Sequence, residues 1–206
     1  MQLYAMPGTC ALAPNIALQW AGADYEVALV PREDLKKADY LATNPMGKVP
    51  ALVRDNGRVL TEVPAILGWI AETYPDAGLG GTDPDQRFAI SQWLSFMTAE
   101  IHASAYGPHF APQRFHPNEA EHEEVRSTAH ARLPALYQQL EDRLGGRDYP
   151  VAGRRTVVDP FLYVLTRWID KTPVALEDYP GLDGFRAAME TDRGVDRALD
   201  LQGMKA

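Results

Sequence analysis

What most limits how this chain can fold is a change of pattern at residues 75–84, a Pro/Gly/Asp-rich stretch with no apolar periodicity. Before it, strand and helix patterns alternate; beyond it, every apolar repeat falls at three to four residues, the helical spacing. A chain of 206 residues has room for one compact domain or two small ones, and the stretch reads as the linker between two. In the first part, residues 2–6 have the length and apolar content of a short strand. Pro7-Gly8 is a turn, and residues 11–21 read as a helix closed by Gly22. Residues 25–30 are a second strand, which makes a right-handed βαβ unit. Residues 31–41 are polar, a loop with a short helix at most. Pro50 directly precedes a third strand, and Asn56-Gly57 joins residues 51–54 to 59–61 as a hairpin. Pro64 then opens a helix over residues 64–74 with Ala65, Ile66, Trp69, Ile70 and Tyr74 at its apolar positions. The order is βαβ, loop, ββα.

The second part reads as helix throughout. Residues 86–105 carry Phe88, Trp93, Phe96, Met97 and Ile101 on a packing stripe, with Ser95, Ala99 and His102 on another face. Residues 119–144 form a long helix interrupted at Pro134. Thr156-Val157-Val158-Asp159 has the form of a capping box, Asp replacing the usual Glu or Gln. It opens the most apolar helix, over residues 157–169, where Pro160 lacks an N–H that would have bonded back to Thr156. Shorter helices follow at 182–190 and 195–201.

Bulk properties exclude several classes of function. The formal charge of -8 argues against nucleic acid or an anionic membrane as main partner. No apolar run approaches the roughly 18 residues of a membrane span, and no basic segment followed by a long apolar region marks a signal peptide. The one cysteine, Cys10, cannot form an internal disulfide, which agrees with a reducing compartment and predicts a cytoplasmic protein.

Cys10 stands at or just before the first turn of the first helix, where free N–H groups and the helix dipole stabilise a thiolate. That placement can pull a thiol from about 8.5 toward neutrality; the competing reading is a small buried hydrophobe. There is no Gly-x-Ser-x-Gly elbow, phosphate-binding Gly-rich loop, His-x-x-x-His zinc pair or Cys-x-x-Cys, so no metal is expected and a two-thiol redox reaction is excluded.

Three segments, in order, carry a resemblance. Asn44-Pro45-Met46-Gly47-Lys48-Val49-Pro50-Ala51-Leu52 resembles the N-P-x-G-x-V-P-x-L of the cytosolic glutathione transferases. Leu60-Thr61-Glu62-Val63-Pro64-Ala65-Ile66 resembles their L-T-E-(S/G)-x-A-I, and the Thr156 box their core-helix cap. Cys10 after Pro-Gly, and His102 in Ala-Glu-Ile-His, are similar to the bacterial beta class.

The resemblance implies an α/β plus all-α fold: a thioredoxin-like N-terminal domain (βαβ-ββα) over residues 1–76, a linker at 77–85 and an all-helical C-terminal domain over 86–206. It implies a homodimeric transferase that conjugates glutathione, its co-substrate, to small hydrophobic electrophiles, with a redox capacity at Cys10. Alternatives are a glutathione-dependent disulfide reductase or peroxidase, and a non-catalytic stress protein that binds apolar ligands. Catalysis falls to Cys10 and to His102, a histidine suited to stabilise thiolate or shuttle a proton near neutral pH. Glutathione contacts fall to Cys10, Lys36 or its neighbour Lys37, Val49, a cis Pro50, Glu62, Val63 and Glu100, the last lent across a dimer interface. Tyr106, Phe110 and Phe115 would wall the electrophile pocket. Val63 and Pro64 offer fewer donors than the family's usual Ser or Gly corner; Ala11, Asn15 and Ala103 stand where relatives often have Ser, His and Lys.

Overall fold

The computed structural model describes residues 1–205. Strands β1 (Gln2–Ala5), β2 (Glu26–Leu29), β3 (Ala51–Val53) and β4 (Val59–Thr61) form one sheet in the order β2-β1-β3-β4. β1 and β2 are parallel, and the other two pairings are antiparallel. Helix α1 (Leu12–Trp20) makes the crossover, and α3 (Val63–Thr73) follows the hairpin. The hairpin turn closes through Arg54 N–H to Arg58 O at 2.9 Å, with Gly57 at φ +79°, where a glycine is needed. Residues 31–41, read as little more than a loop, lead through a 3₁₀ turn at Arg32–Asp34 into α2 (Ala38–Thr43). Tyr40 anchors α2 by burying its ring and donating its hydroxyl to Lys48 O at 2.6 Å.

Beyond residue 83 the chain is helical. Asp83 caps α4 (Pro84–Phe96) by accepting from Gln86 N–H at 2.8 Å. The sequence predicts one α-helix to residue 105, but α4 gives way to a π-helix at Met97–Tyr106, followed by the short α5 (Gly107–Phe110). Gly107 N–H reaches back five residues to His102 O, and Pro108 has no N–H with which to resume the tighter ladder at once. The wider turn changes the phase of the face. Ser95, expected beside His102, lies instead in a groove against α3, and Ala99 points to solvent. α6 (His122–His130) and α7 (Leu133–Leu144) are separated just ahead of Pro134, which sits in the first turn of α7. Next come α8 (Val158–Trp168), α9 (Pro180–Glu190) and α10 (Arg193–Leu201).

Every residue of α8 except Arg167 is buried. Its start is the predicted box: Asp159 Oδ2 accepts from Thr156 N–H at 2.8 Å and from Thr156 Oγ1 at 2.9 Å, while Val158 N–H donates to Thr156 Oγ1 at 3.3 Å. Burial pushes the Asp159 carboxyl up to about 7 in spite of those donors. Pro160 falls within the first turn of α8, where N–H groups lack intrahelical acceptors anyway.

One hydrophobic cluster runs through the sheet side and the helical side alike. Its shared member is α1, buried at each position from Leu12 to Leu18 and packed by α3, α8 and α10. Asn15, fully buried, ties α1 to α10 through Nδ2 to Ala198 O at 3.0 Å. The aperiodic stretch between the two parts is pinned: Leu79 is buried and accepts from Val157 N–H at 3.0 Å, and Arg154 Nη2 donates to Gly80 O at 2.7 Å. Among the described residues no helix is long and apolar enough to cross a membrane. Thr156→Ala removes an acceptor from Val158 and a donor from Asp159, all in a dry site. It should destabilise the protein by about 1–2 kcal/mol, read as a lower urea midpoint at unchanged slope; an unchanged midpoint would deny the box a structural role.

Candidate active site

A cavity of about 320 Å³ lies where the turn at residues 7–10, the segment 46–50, the start of α3, the π-helix and the end of α8 converge. The turn is held from the helical side. Trp168, the last residue of α8, donates Nε1 to Gly8 O at 2.9 Å, and Gly8 N–H meets Met204 Sδ at 3.2 Å. Gly8 itself sits at φ +76°.

Cys10 follows this turn, only 7% exposed, with its thiol 3.8 Å from Val49 O. Burial pushes the thiol up to about 12; its own N–H and the Lys48 charge oppose that, and Glu62 adds to it. The lowered thiol expected from the helix start is therefore not found. α1 begins at Leu12, two residues on, and dehydration outweighs the helix end.

His102 comes from the π-helix, its ring packed edge-on against Phe161 (centroids 5.9 Å apart) and Trp168 (5.1 Å). Burial, with Lys48 adding, lowers the imidazole to about 4. At neutral pH it is uncharged, so the expected proton shuttle near pH 7 does not fit this state of the site. Cys10 and His102 thus face the cavity as neutral groups.

The Val49-Pro50 peptide is cis. The preceding loop is held from beneath by Asn44 Nδ2 and Tyr40 Oη, each 2.6 Å from Lys48 O. Gly47, at φ +57°, is required there, since a Cβ would lie 2.5 Å from Leu35 O. Glu62, at the N-terminus of α3, holds φ +66°, a left-handed conformation costing a non-glycine residue about 1–3 kcal/mol. Its carbonyl accepts from Ile66 N–H at 2.9 Å, which locks the strained residue into the helix start. The Glu62 side chain is exposed, and Val63 is buried.

The cavity gathers Cys10, Val49, Pro50, Glu62, Val63, His102 and Phe110. It leaves out four of the expected residues. Lys36 turns to Met46 O at 3.0 Å, and neighbouring Lys37 pairs with Asp34. Glu100 is exposed and meets Arg132 at 3.6 Å. Tyr106 is fully buried, its hydroxyl committed to Tyr137 Oη at 2.7 Å, and it lies behind the lining, stacked on Phe110 and edge-on to Trp168. Phe115 packs near Gly107 in a separate groove. Conversely, Arg32, Lys48, Thr98, Arg114, Trp168 and Lys171 line the cavity without having been singled out. Among the described residues none of the four cations has a carboxylate partner, and Glu62 is the one acid in the lining. A larger groove of about 810 Å³ around Trp20, Tyr149 and Phe185 holds neither thiol nor imidazole. Among the described residues no three His, Cys, Asp or Glu gather as a metal site.

Fold and site together define a thioredoxin-like cleft closed by a helical domain. Residues 9–73 match the family model of the glutathione S-transferase N-terminal domain, and residues 93–192 that of its C-terminal domain. Glutathione S-transferase GST-4.5 of Xanthomonas campestris is 35% identical over 205 residues, 99% of this chain and 100% of its own. A sphingomonad glutathione S-transferase solved in complex with glutathione is 35% identical with a TM-score of 0.88, covering 100% of both chains. The beta class enzyme of Sphingomonas chungbukensis is 33% identical with a TM-score of 0.87, again over 100% of both. The chain belongs to the glutathione S-transferase family.

A thiol held near 12 reacts only through a trace of thiolate. Alkylation of Cys10 by iodoacetamide, followed by intact mass, should be slow at pH 7 and rise about tenfold per pH unit through pH 10. A plateau near pH 7–8 would show a stabilised thiolate instead.

Proposed function

We propose that the protein joins glutathione to small electrophilic acceptors in the cavity beside Cys10, working by conjugation more than by disulfide exchange. The observation that carries this is the convergence of the strand edge at Val49-Pro50, a helix start, a thiol and four uncompensated cations on one cleft. Glutathione brings two carboxylates, an ammonium and a thiol. Its cysteinyl backbone would run along Val49, extending the sheet edge as an added strand does. Its γ-glutamyl carboxylate would meet the start of α3, and its ammonium Glu62. Pro64 withholds one N–H from that corner. Arg32 and Lys48, rather than Lys36, are the cations on this side of the cleft for the glycyl carboxylate.

The sulfur would lie between Cys10 and His102. A protonated Cys10 can donate S–H to the glutathione thiolate, and a neutral imidazole can donate N–H; neither competes as a nucleophile or base at pH 7. The glutathione proton leaves to solvent, and the thiolate forms its bond to an acceptor resting on Phe110, Ala111 and Trp168. A thiol near 12 is a slow partner in disulfide exchange, so the reductase reading is the lesser one. The same proposal takes residues 1–76 as the glutathione-holding domain, joined through 77–85 to a helical domain over 86–206. It also takes a homodimer in the cytoplasm as the working form. Glu100, exposed and outside its own cavity, is available to a neighbouring subunit.

The test is the ultraviolet titration of the glutathione thiolate in the binary complex. Cys10→Ala should raise the bound thiol by about one to two pH units, the value of one hydrogen bond to a charged sulfur. Cys10→Ser, which keeps a donor, should raise it less. Unchanged titrations, together with rapid stoichiometric glutathionylation of Cys10 at pH 7, would replace conjugation by the redox reading.

A further inference from the structure

The four cations of the cavity divide by origin. Arg32 and Lys48 come from the sheet side, where the proposed reading lays glutathione; Arg114 and Lys171 come from the helical side. Arg114 ends the 3₁₀ turn Pro112–Arg114, and Lys171 ends the 3₁₀ turn Ile169–Lys171 that follows α8. Lys171 Nζ stands 5.4 Å from the centre of the Phe110 ring, and Phe110 and Trp168 meet edge to face with centroids 5.0 Å apart. The adjoining acid, Asp170, is taken up by Arg186 at 2.7 Å. Among the described residues neither Arg114 nor Lys171 makes an ion pair or a side-chain hydrogen bond, in a chain whose formal charge is -8 and where acids abound.

An aromatic wall beside two uncommitted cations suits an acceptor that carries an aromatic ring and its own negative charge. We infer that the acceptor half of the cleft selects aromatic electrophiles bearing a carboxylate, which Arg114 and Lys171 recognise while the ring packs against the wall made by Phe110 and Trp168. This rests on the transferase reading and narrows its substrate class from apolar electrophiles to anionic ones. Lys171, held over Phe110 by the attraction of a cation for an aromatic face, keeps its charge at the wall of the cleft, where it steers an incoming anion. The two residues bind the acceptor and take no part in bond making. In an aromatic substitution the glutathione sulfur forms the C–S bond, the carbon–chlorine bond breaks, chloride leaves with the electron pair, and the thiol proton goes to water. Nothing is oxidised or reduced.

The experiment compares 4-chloro-3,5-dinitrobenzoate with its methyl ester, each kcat/KM divided by the uncatalysed rate with glutathione. The wild type should favour the carboxylate by about tenfold, at about threefold for each exposed charge pair, and about 0.5 M sodium chloride should erode the preference. Lys171→Met and Arg114→Gln should each reduce the ratio, the double variant should bring it near unity, and Lys171→Arg should retain it. If glutathione binds by calorimetry and both acceptors react, but the wild type shows no preference or the double variant keeps it, this inference falls and the transferase reading stands. If glutathione does not bind and neither acceptor reacts, both fall together.

Discussion

The structure depends on the dehydration of α1. A short helix buried at each position from Leu12 to Leu18 cannot belong to the sheet alone; it needs α3 on one flank and α8 and α10 on the other. Each fully buried Leu or Ile on it adds about 1.5–3 kcal/mol of hydrophobic stabilisation, and loss of either side would expose that surface. The two parts are therefore welded through one helix, and the cleft between them inherits a fixed geometry. Trp168 makes the link explicit: one end of α8 packs in the core and donates to Gly8 O in the turn that presents Cys10.

The same dehydration sets the electrostatics of Cys10 and His102. A thiol at the entrance of a buried helix cannot ionise cheaply, and a histidine between Phe161 and Trp168 cannot hold a proton cheaply. Burial moves one above neutrality and the other below it. What faces the cavity is a pair of neutral dipoles, while full charges stand at the rim on Arg32, Lys48, Arg114 and Lys171. Full charge is thus kept at the rim, and no ion pair has to be buried in the dry part of the cavity.

Much of the scaffold was legible because its signals are local. Asn56-Gly57 marks the hairpin, Gly22 closes α1, Pro134 breaks a long helix, and Thr156 with Asp159 caps α8. Of the cavity lining, Val49, Pro50, Glu62, Val63 and His102 were legible through motif resemblance and Cys10 also through its place beside a helix start, while of three aromatic walls expected only Phe110 lines it. Three things were not legible. The π-helix leaves no mark in an apolar stripe, since Met97 and Ile101 pack in the core at either spacing. The cations lie in loops and turns far apart in the chain, which only tertiary structure brings to one cavity. Burial at Cys10 and His102 comes from elements distant in sequence, so a local rule about helix ends gave the wrong direction for the thiol.

Two local departures from regular backbone explain how the site holds its shape. Glu62 carries a left-handed φ of +66° that persists because its carbonyl already serves as the first acceptor of α3. Pro64, in the first turn, withholds a donor from any carboxylate there, yet its fixed φ stiffens the turn behind Glu62. The corner thus exchanges one hydrogen bond for rigidity. Opposite it, the π-turn places Thr98 and His102 on the same cavity where a regular helix would have carried Ser95 and Ala99 round with the histidine. Strain on one wall and an expanded helix on the other are both sustained by the buried framework of α1 and α8.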